Sequence, residues 1–230
     1  MRGSVARILL KLSGEAFAGS DGPISGTALD RIAEEIVPLE KIELAIVVGG
    51  GNVIRGARTD AFDRIDADTL GMLATVLNAL AFRSILERGG RKVVVQSAVH
   101  TELTEPISPR KAREALADGA ILLFAGGTGS PLVTTDTAAA LRAVSIGASL
   151  LAKASNVPGV YDRDPEADPS ARLLSEVSYD EYAERRYGVM DLVAVEICRE
   201  HRLPIEVFDF ARPGALRELA AGRRVGTRIQ

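Results

Sequence analysis

The chain has no tryptophan, one cysteine and two histidines, and aromatic residues make up only 4% of it. A lone cysteine, Cys198, excludes an intrachain disulfide and suits a reducing, cytoplasmic compartment. Two isolated histidines, His100 and His201, exclude a site with zinc-ligand spacing. Neither histidine adjoins a nucleophile in a recognisable elbow, so both read as structural, as does Cys198 on the apolar helical face of AVEICREH. An excess of one charge is also lacking: 28 Lys and Arg are interspersed with 31 Asp and Glu, for a net charge of −3. That leaves no electrostatic footprint for nucleic acid or an anionic membrane. No apolar run reaches the ~18 residues of a membrane span, and the run in MRGSVARILLKLSGE is too short, and broken by Lys11, to be a signal h-region. Neither a Walker A motif nor a G-x-G-x-x-G fingerprint occurs, which argues against P-loop and dinucleotide-binding chemistry. With no Pro-rich linker, internal repeat or low-complexity tract, residues 1–230 read as a single domain.

What is present is an alternation. Strand-length apolar runs, ARILLKL (6–12), ELAIVV (43–48), KVVVQ (92–96), AILLFA (120–125), SLLAK (149–153) and PIEVFDF (204–210), are separated by stretches whose apolar residues recur at three and four. The helical stretches are TALDRIAEEIVPLEKI, DTLGMLATVLNALAFRSILERGG, SPRKAREALADG and DTAAALRAVSIG. Runs apolar on both faces belong to a mostly parallel sheet covered on both sides, which predicts an α/β fold of three layers, α/β/α. The segment 157–174, rich in proline and aspartate, has no period and reads as a long loop able to act as a lid.

In such a sheet ligands gather at the carboxyl ends of the strands, and four ends carry suitable chemistry. The first runs into KLSGE (11–15), where a lysine in an apolar strand is costly unless it meets an anion, although it could also snorkel out of the strand end. The second ends in GGGN (49–52), a triple glycine that lets backbone approach a ligand; Arg55 and Arg58 follow, suited to phosphate or to solvent. The fourth runs into GTGSPLVTTD, whose Thr134, Thr135 and Asp136 open a helix, a position that attracts anions and equally one where Thr or Asp merely caps. The fifth ends in KASNVPG (153–159), so Lys153 could face one crevice with Lys11, a pairing suited to a transferring phosphoryl group. Asp68, at the start of the longest helical stretch, could cap it or accept from a ligand hydroxyl.

With KLSGEA, VVGGGNVIRG, DTLGMLATVLNALA, GTGSPLVTTDTAAALRA, GVYDRDP, VMD and PGALRELAAGRRVGT in order, the sequence closely resembles the bacterial uridylate kinases of the amino acid kinase family. The resemblance runs from about residue 6 to 229 and implies transfer of the γ-phosphoryl group of MgATP to UMP, giving UDP. It implies catalytic roles for Lys11, Asp136, Lys153 and Asp191, with Lys11 the main electrostatic catalyst and the two aspartates organisers of the lysines. On the ATP side it implies Lys11, Leu12, Ser13, Gly14, Gly51, Arg55, Ser155, Tyr161 and Asp164, with magnesium carried by the ATP phosphates. On the UMP side it implies Gly50 and Asp68 together with Thr128, Gly129, Ser130, Pro131, Leu132, Val133, Thr134 and Thr135. A homohexamer built from dimers, inhibition by UTP and activation by GTP are also implied; the long apolar pattern of the helix of residues 67–88 makes it a candidate interface and equally a candidate for intrachain core. The family's usual GDEGFGID segment, tied to the GTP response, here reads GSDGPISG, without its phenylalanine. Two other readings share the fold: a kinase acting on a small carboxylate or carbamate, and a nucleotide- or oxyanion-binding relative that catalyses no transfer.

Overall fold

The computed structural model describes residues 7–54, 61–165 and 167–230. Among the described residues nine strands form one sheet: β1 (Arg7–Leu12), β2 (Glu43–Val48), β3 (Val93–Ser97), β4 (Glu105–Pro106), β5 (Ile121–Ala125), β6 (Leu150–Ser155), β7 (Glu176–Val177), β8 (Ile205–Asp209) and β9 (Thr227–Ile229). Their order is β4-β3-β5-β2-β1-β6-β8-β9-β7, and each pairing is parallel except β8 with β9. The six predicted strands are the longer ones. The three others are two or three residues long, too short to show a period.

The helices are α1 (Gly26–Ile36), α2 (Arg64–Arg88), α3 (Pro109–Ala117), α4 (Thr135–Ile146), α5 (Tyr179–Arg185), α6 (Leu192–Glu200) and α7 (Ala215–Ala220). Their starts are chemically marked: Ser25 caps α1, Ser108 followed by Pro109 starts α3, and Thr134 caps α4, which ends at left-handed Gly147. α2 begins earlier than its apolar pattern, because Asp63 accepts from the Ile65 and Asp66 N–H groups; Asp68 lies inside the helix and is not its cap. Although no span was expected from the sequence, α2 is long and apolar enough by length and composition to cross a bilayer. Val76, Ala79, Phe82 and Leu86 pack it onto the sheet, and Phe82 meets Phe17, from the turn after β1, edge-on at 5.5 Å.

Alternation along the strands sorts the core into two layers. Ile8, Leu10 and Leu12 pack with α1, α2 and α7 on one face, whereas Leu9 points with α3, α4, α5 and α6 to the other. The period of two puts Lys11 on the α4 side, and the β1–β6 register sets Lys11 beside Lys153. Glu206 on β8 is fully buried and secures β9 by accepting from Arg228 Nε at 2.6 Å and from the Val225 N–H at 2.9 Å.

Backbones cross closely where β1 and β2 end. A Cβ on Gly14 would lie 2.4 Å from the Gly51 nitrogen, one on Gly49 2.5 Å from the Gly14 nitrogen, and one on Gly50 2.4 Å from the Gly71 carbonyl oxygen. These glycines are therefore required first by backbone packing. Gly50→Ala is expected to cost about 1–3 kcal/mol in urea denaturation, as overpacked sites do. Gly71→Ala, whose Cβ would find its nearest neighbour at 4.0 Å, is the tolerated control.

Candidate active site

Lys11, Lys153 and Asp136 converge where β1 and β6 end beneath the first turn of α4. Asp136 Oδ1 lies 2.9 Å from Lys11 Nζ, and its Oδ2 accepts from Lys153 Nζ; the three side chains are 11–12% exposed. Burial alone would push the Asp136 carboxyl up, but the two ammonium charges and their hydrogen bonds outweigh it and hold the group below the usual carboxylate range. Burial pushes Lys153 down, and the nearby Lys11 charge adds to this; Asp136, and more weakly Asp191, act in the opposite direction. The result is a pair of closely held cations at a helix N-terminus, an arrangement that attracts a multiply charged anion.

Asp191 is placed differently from the role expected of it. It caps α6 by accepting from the Ala194 N–H at 2.7 Å, and it takes the Thr134 and Thr137 hydroxyls, Thr137 Oγ1 lying 3.0 Å from Oδ1. Its hydrogen bonds thus organise the start of α4, because its capping duty turns the carboxylate toward the threonines; toward the lysines it supplies only a field. The direct neighbour of Lys153 on this segment is the Val189 carbonyl, which accepts from Nζ. Buried Tyr182 in turn holds Met190, whose N–H donates to the phenol oxygen at 2.7 Å. Val189 and Thr137 lie within the VMD and GTGSPLVTTDTAAALRA motifs, but the Val189 contact is made by main chain, which residue type does not display, and Tyr182 carried no motif signal.

The GTGSPLVTTD loop arches from β5 to α4. Gly126, Gly127 and Gly129 have φ of 75°, 57° and 84°, which explains the glycines at these positions. Leu132 is also left-handed, at φ 68°, a strained state for a non-glycine residue, and its N–H is held by Asp68 Oδ2 at 2.9 Å. Asp68 also takes Arg64 Nε at 2.9 Å, so it ties the loop to α2. Thr75 accepts from the Gly126 N–H at 2.6 Å, and Arg142 donates to the Gly127 carbonyl at 3.3 Å. Thr128 and Ser130 close a small turn on each other, and Gly129, Ser130, Leu132, Val133 and Thr134 face solvent, with Pro131 and Thr135 half-buried.

Below this loop, Asn78 on α2 is fully buried and donates to the Gly49 carbonyl at 2.7 Å. It also exchanges amide hydrogen bonds with Asn52, and Asn52 donates to the Pro23 carbonyl at 2.6 Å. The GGGN turn is therefore anchored from beneath, with Gly50 wedged on α2. Leu12 contributes no side chain to a ligand: it is core, and its carbonyl accepts from the Gly49 N–H at 2.9 Å. Arg55 and Arg58 lie outside the described residues.

On the other side of β1 and β6, Ser13 and Ser155 line a cavity of about 640 Å³. Ala16, Ile32, Phe210 and Pro213 give it apolar walls, with Arg31 and Glu34 at hand. Tyr161 and Asp164 do not line it. They sit on the 157–174 loop, which is folded back by the Tyr161–Leu173 bridge and by the Arg172 N–H donating to Asp162 at 2.8 Å. Among the described residues no group of three or more His, Cys, Asp or Glu is placed to hold a metal ion.

The Amino acid kinase family profile matches residues 6–209. The chain belongs to the amino acid kinase family. Within it, the chain is 47% identical to the uridylate kinase of Stutzerimonas stutzeri, over 97% of this chain and 93% of that relative. Its fold matches the UMP kinase of Bacillus anthracis with a TM-score of 0.93 at 34% identity, covering 97% of this chain and 95% of that one. It matches the UMP kinase of Ureaplasma parvum with a TM-score of 0.92 at 30% identity, over 99% of both chains. The three-layer α/β/α architecture with its mostly parallel sheet is thus the amino acid kinase fold.

In this family member Asp136→Asn would leave two ammonium groups facing each other without a counter-charge. Breaking such a buried pair is expected to cost about 3–5 kcal/mol at pH 7 in urea denaturation. The pH window distinguishes the two proteins. In the wild type the Asp136 contribution is full above the ordinary carboxylate range and lost as pH falls through its depressed folded value. In the variant that acid limb is absent, and Lys153, already pushed down by burial, loses the opposing Asp136 charge, so the rise in stability toward the lysine range is expected to be larger than in the wild type.

Proposed function

We propose that the chain transfers the γ-phosphoryl group of MgATP to UMP, producing UDP and ADP. The observation that carries this reading is the Lys11–Asp136–Lys153 cluster, set between a glycine turn and the N-terminus of α4. Full-length similarity to relatives named uridylate kinase and UMP kinase supports the substrate. The loop from Thr128 to Thr135, with Asp68 and Gly50 behind it, would hold UMP. Ser13, Gly14 and Ser155 beside the 640 Å³ cavity would hold ATP, with Tyr161 and Asp164 closing over it.

The chemistry asks little covalent help. A UMP phosphate oxygen attacks the γ-phosphorus in line, the bond to the β–γ bridging oxygen breaks, and its electrons leave with ADP. The acceptor is already an anion at neutral pH, so no general base is needed. Lys11 and Lys153 neutralise charge on the transferring group, and Asp136 fixes their ammonium groups in place. Magnesium enters as part of the ATP substrate and neutralises its phosphates.

Assembly and regulation belong to the same reading. The outer face of α2 leaves Ile65, Leu73 and Leu77 54%, 46% and 53% exposed, while the opposite face is core. That exposed stripe is the proposed dimer contact of a homohexamer in the cytoplasm. For the GTP activation and UTP inhibition suggested by the resemblance, the segment 19–25 connects to the GGGN turn through the Pro23–Asn52–Asn78 hydrogen bonds.

ADP release from MgATP is expected with UMP, and not with acetylglutamate or aspartate; turnover of an acid, or ATP binding without turnover, would overturn the assignment. CMP and dUMP, with and without GTP, define the selectivity. Lys11→Ala is expected to lower kcat by ~10²–10³ with the fold intact, since Asp136 keeps Lys153 as a partner.

A further inference from the structure

The middle of the turn between α5 and α6 is held by the Tyr182 side chain. Residues 186–191 lie outside both helices, so their buried polar groups cannot be paired by secondary structure. Tyr182, fully buried, supplies both partners for Met190: it accepts from the Met190 N–H at 2.7 Å and donates to the Met190 carbonyl at 3.0 Å. Packing alone does not need that hydroxyl. The ring rests against Tyr187 at 5.6 Å, and phenylalanine would fill the same volume with no polar group to satisfy.

On either side of Met190 the turn reaches the candidate active site. Val189 presents its carbonyl to Lys153 Nζ, and Asp191 binds Thr134 and Thr137 at the first turn of α4. Among the described residues Lys153 has one other hydrogen-bond partner, Asp136. We infer that Tyr182 is a positioning residue for Lys153, its hydroxyl clamping the Met190 peptide groups so that the Val189 carbonyl stays against the lysine ammonium group. The kinetic part of this inference rests on the phosphoryl-transfer reading; the positional part rests on geometry alone.

Burial pushes the Tyr182 phenol up to about 12, so it remains a donor throughout the range in which enzymes are assayed. Lys153 is faced by Asp136 from α4, by Lys11 from β1 and by Asp191 from the start of α6. Losing a carbonyl acceptor disfavours the charged lysine, so its titration moves to lower pH.

The test compares wild type with Tyr182→Phe, reading UMP-dependent kinetics against pH and, separately, the titration of Lys153 by NMR with labelled lysine; the chain has only five lysines. In Tyr182→Phe, kcat is expected to fall about ten- to a hundredfold. KM for UMP should stay within about twofold, because the acceptor loop is untouched. The alkaline limb of kcat and the Lys153 titration should both move down by about one pH unit. Tyr187→Phe, which removes only a hydroxyl bonded to Glu181 at 3.4 Å, should change neither. 4-Aminophenylalanine at position 182, which donates to the Met190 carbonyl but accepts poorly from its N–H, should fall between; it replaces Tyr182→Phe if that variant does not fold. An unmoved Lys153 titration in a folded variant would overturn the inference, whether or not the melting temperature or kcat falls. If the wild type fails to turn over UMP, the functional reading fails, and the Lys153 titration alone decides the role of Tyr182.

Discussion

One carboxylate between two lysines holds the centre of this protein together. The parallel register of β1 and β6 forces Lys11 and Lys153 side by side on the same face of the sheet, where their charges repel and water is scarce. Asp136 makes that arrangement tolerable by engaging both, one with each carboxylate oxygen. Each neighbouring element then serves to keep the carboxylate in place: Thr134 starts α4, Asp191 secures Thr134 and Thr137, and the Val189 carbonyl gives Lys153 its second acceptor.

The same centre is prepared for an anion that the chain does not itself supply. Two ammonium groups share one carboxylate next to a helix N-terminus, which leaves net positive charge at the point where a phosphoryl group would pass. Around it the chain carries local costs: Leu132 sits in the left-handed region, glycines are wedged with no room for a Cβ, and Asn78 is a fully buried amide that depends on half-exposed Asn52 and the Gly49 carbonyl for its hydrogen bonds. Such local costs are expected where a site is preorganised.

The glycines show how a local signal can have a cause that the sequence does not display. GGGN suggests backbone bared to a ligand, and Gly49 and Gly50 are also required by close packing on Gly14 and Gly71 across the fold. Asp68 suggests a helix cap or a ligand contact; the cap is Asp63, and Asp68 holds the Leu132 N–H. In both cases the residue type was constrained by a partner far away in sequence, which spacing cannot reveal.

The sequence by itself determined the alternation of six apolar strands with helices, hence the parallel three-layer fold, because hydrophobic period is a local property of the chain. It also determined the candidate cations and the loop that faces them, since lysine in an apolar strand and glycines before a threonine cap are unusual choices. The tertiary structure alone decided which groups meet. The β1–β6 register set the lysine pair, the fold of the 186–191 turn brought the Val189 carbonyl and Tyr182 to it, and Asp191 was given to the threonines. These contacts are made by main chain, or by side chains separated by tens of residues, so their chemistry exists only once the chain has closed on itself.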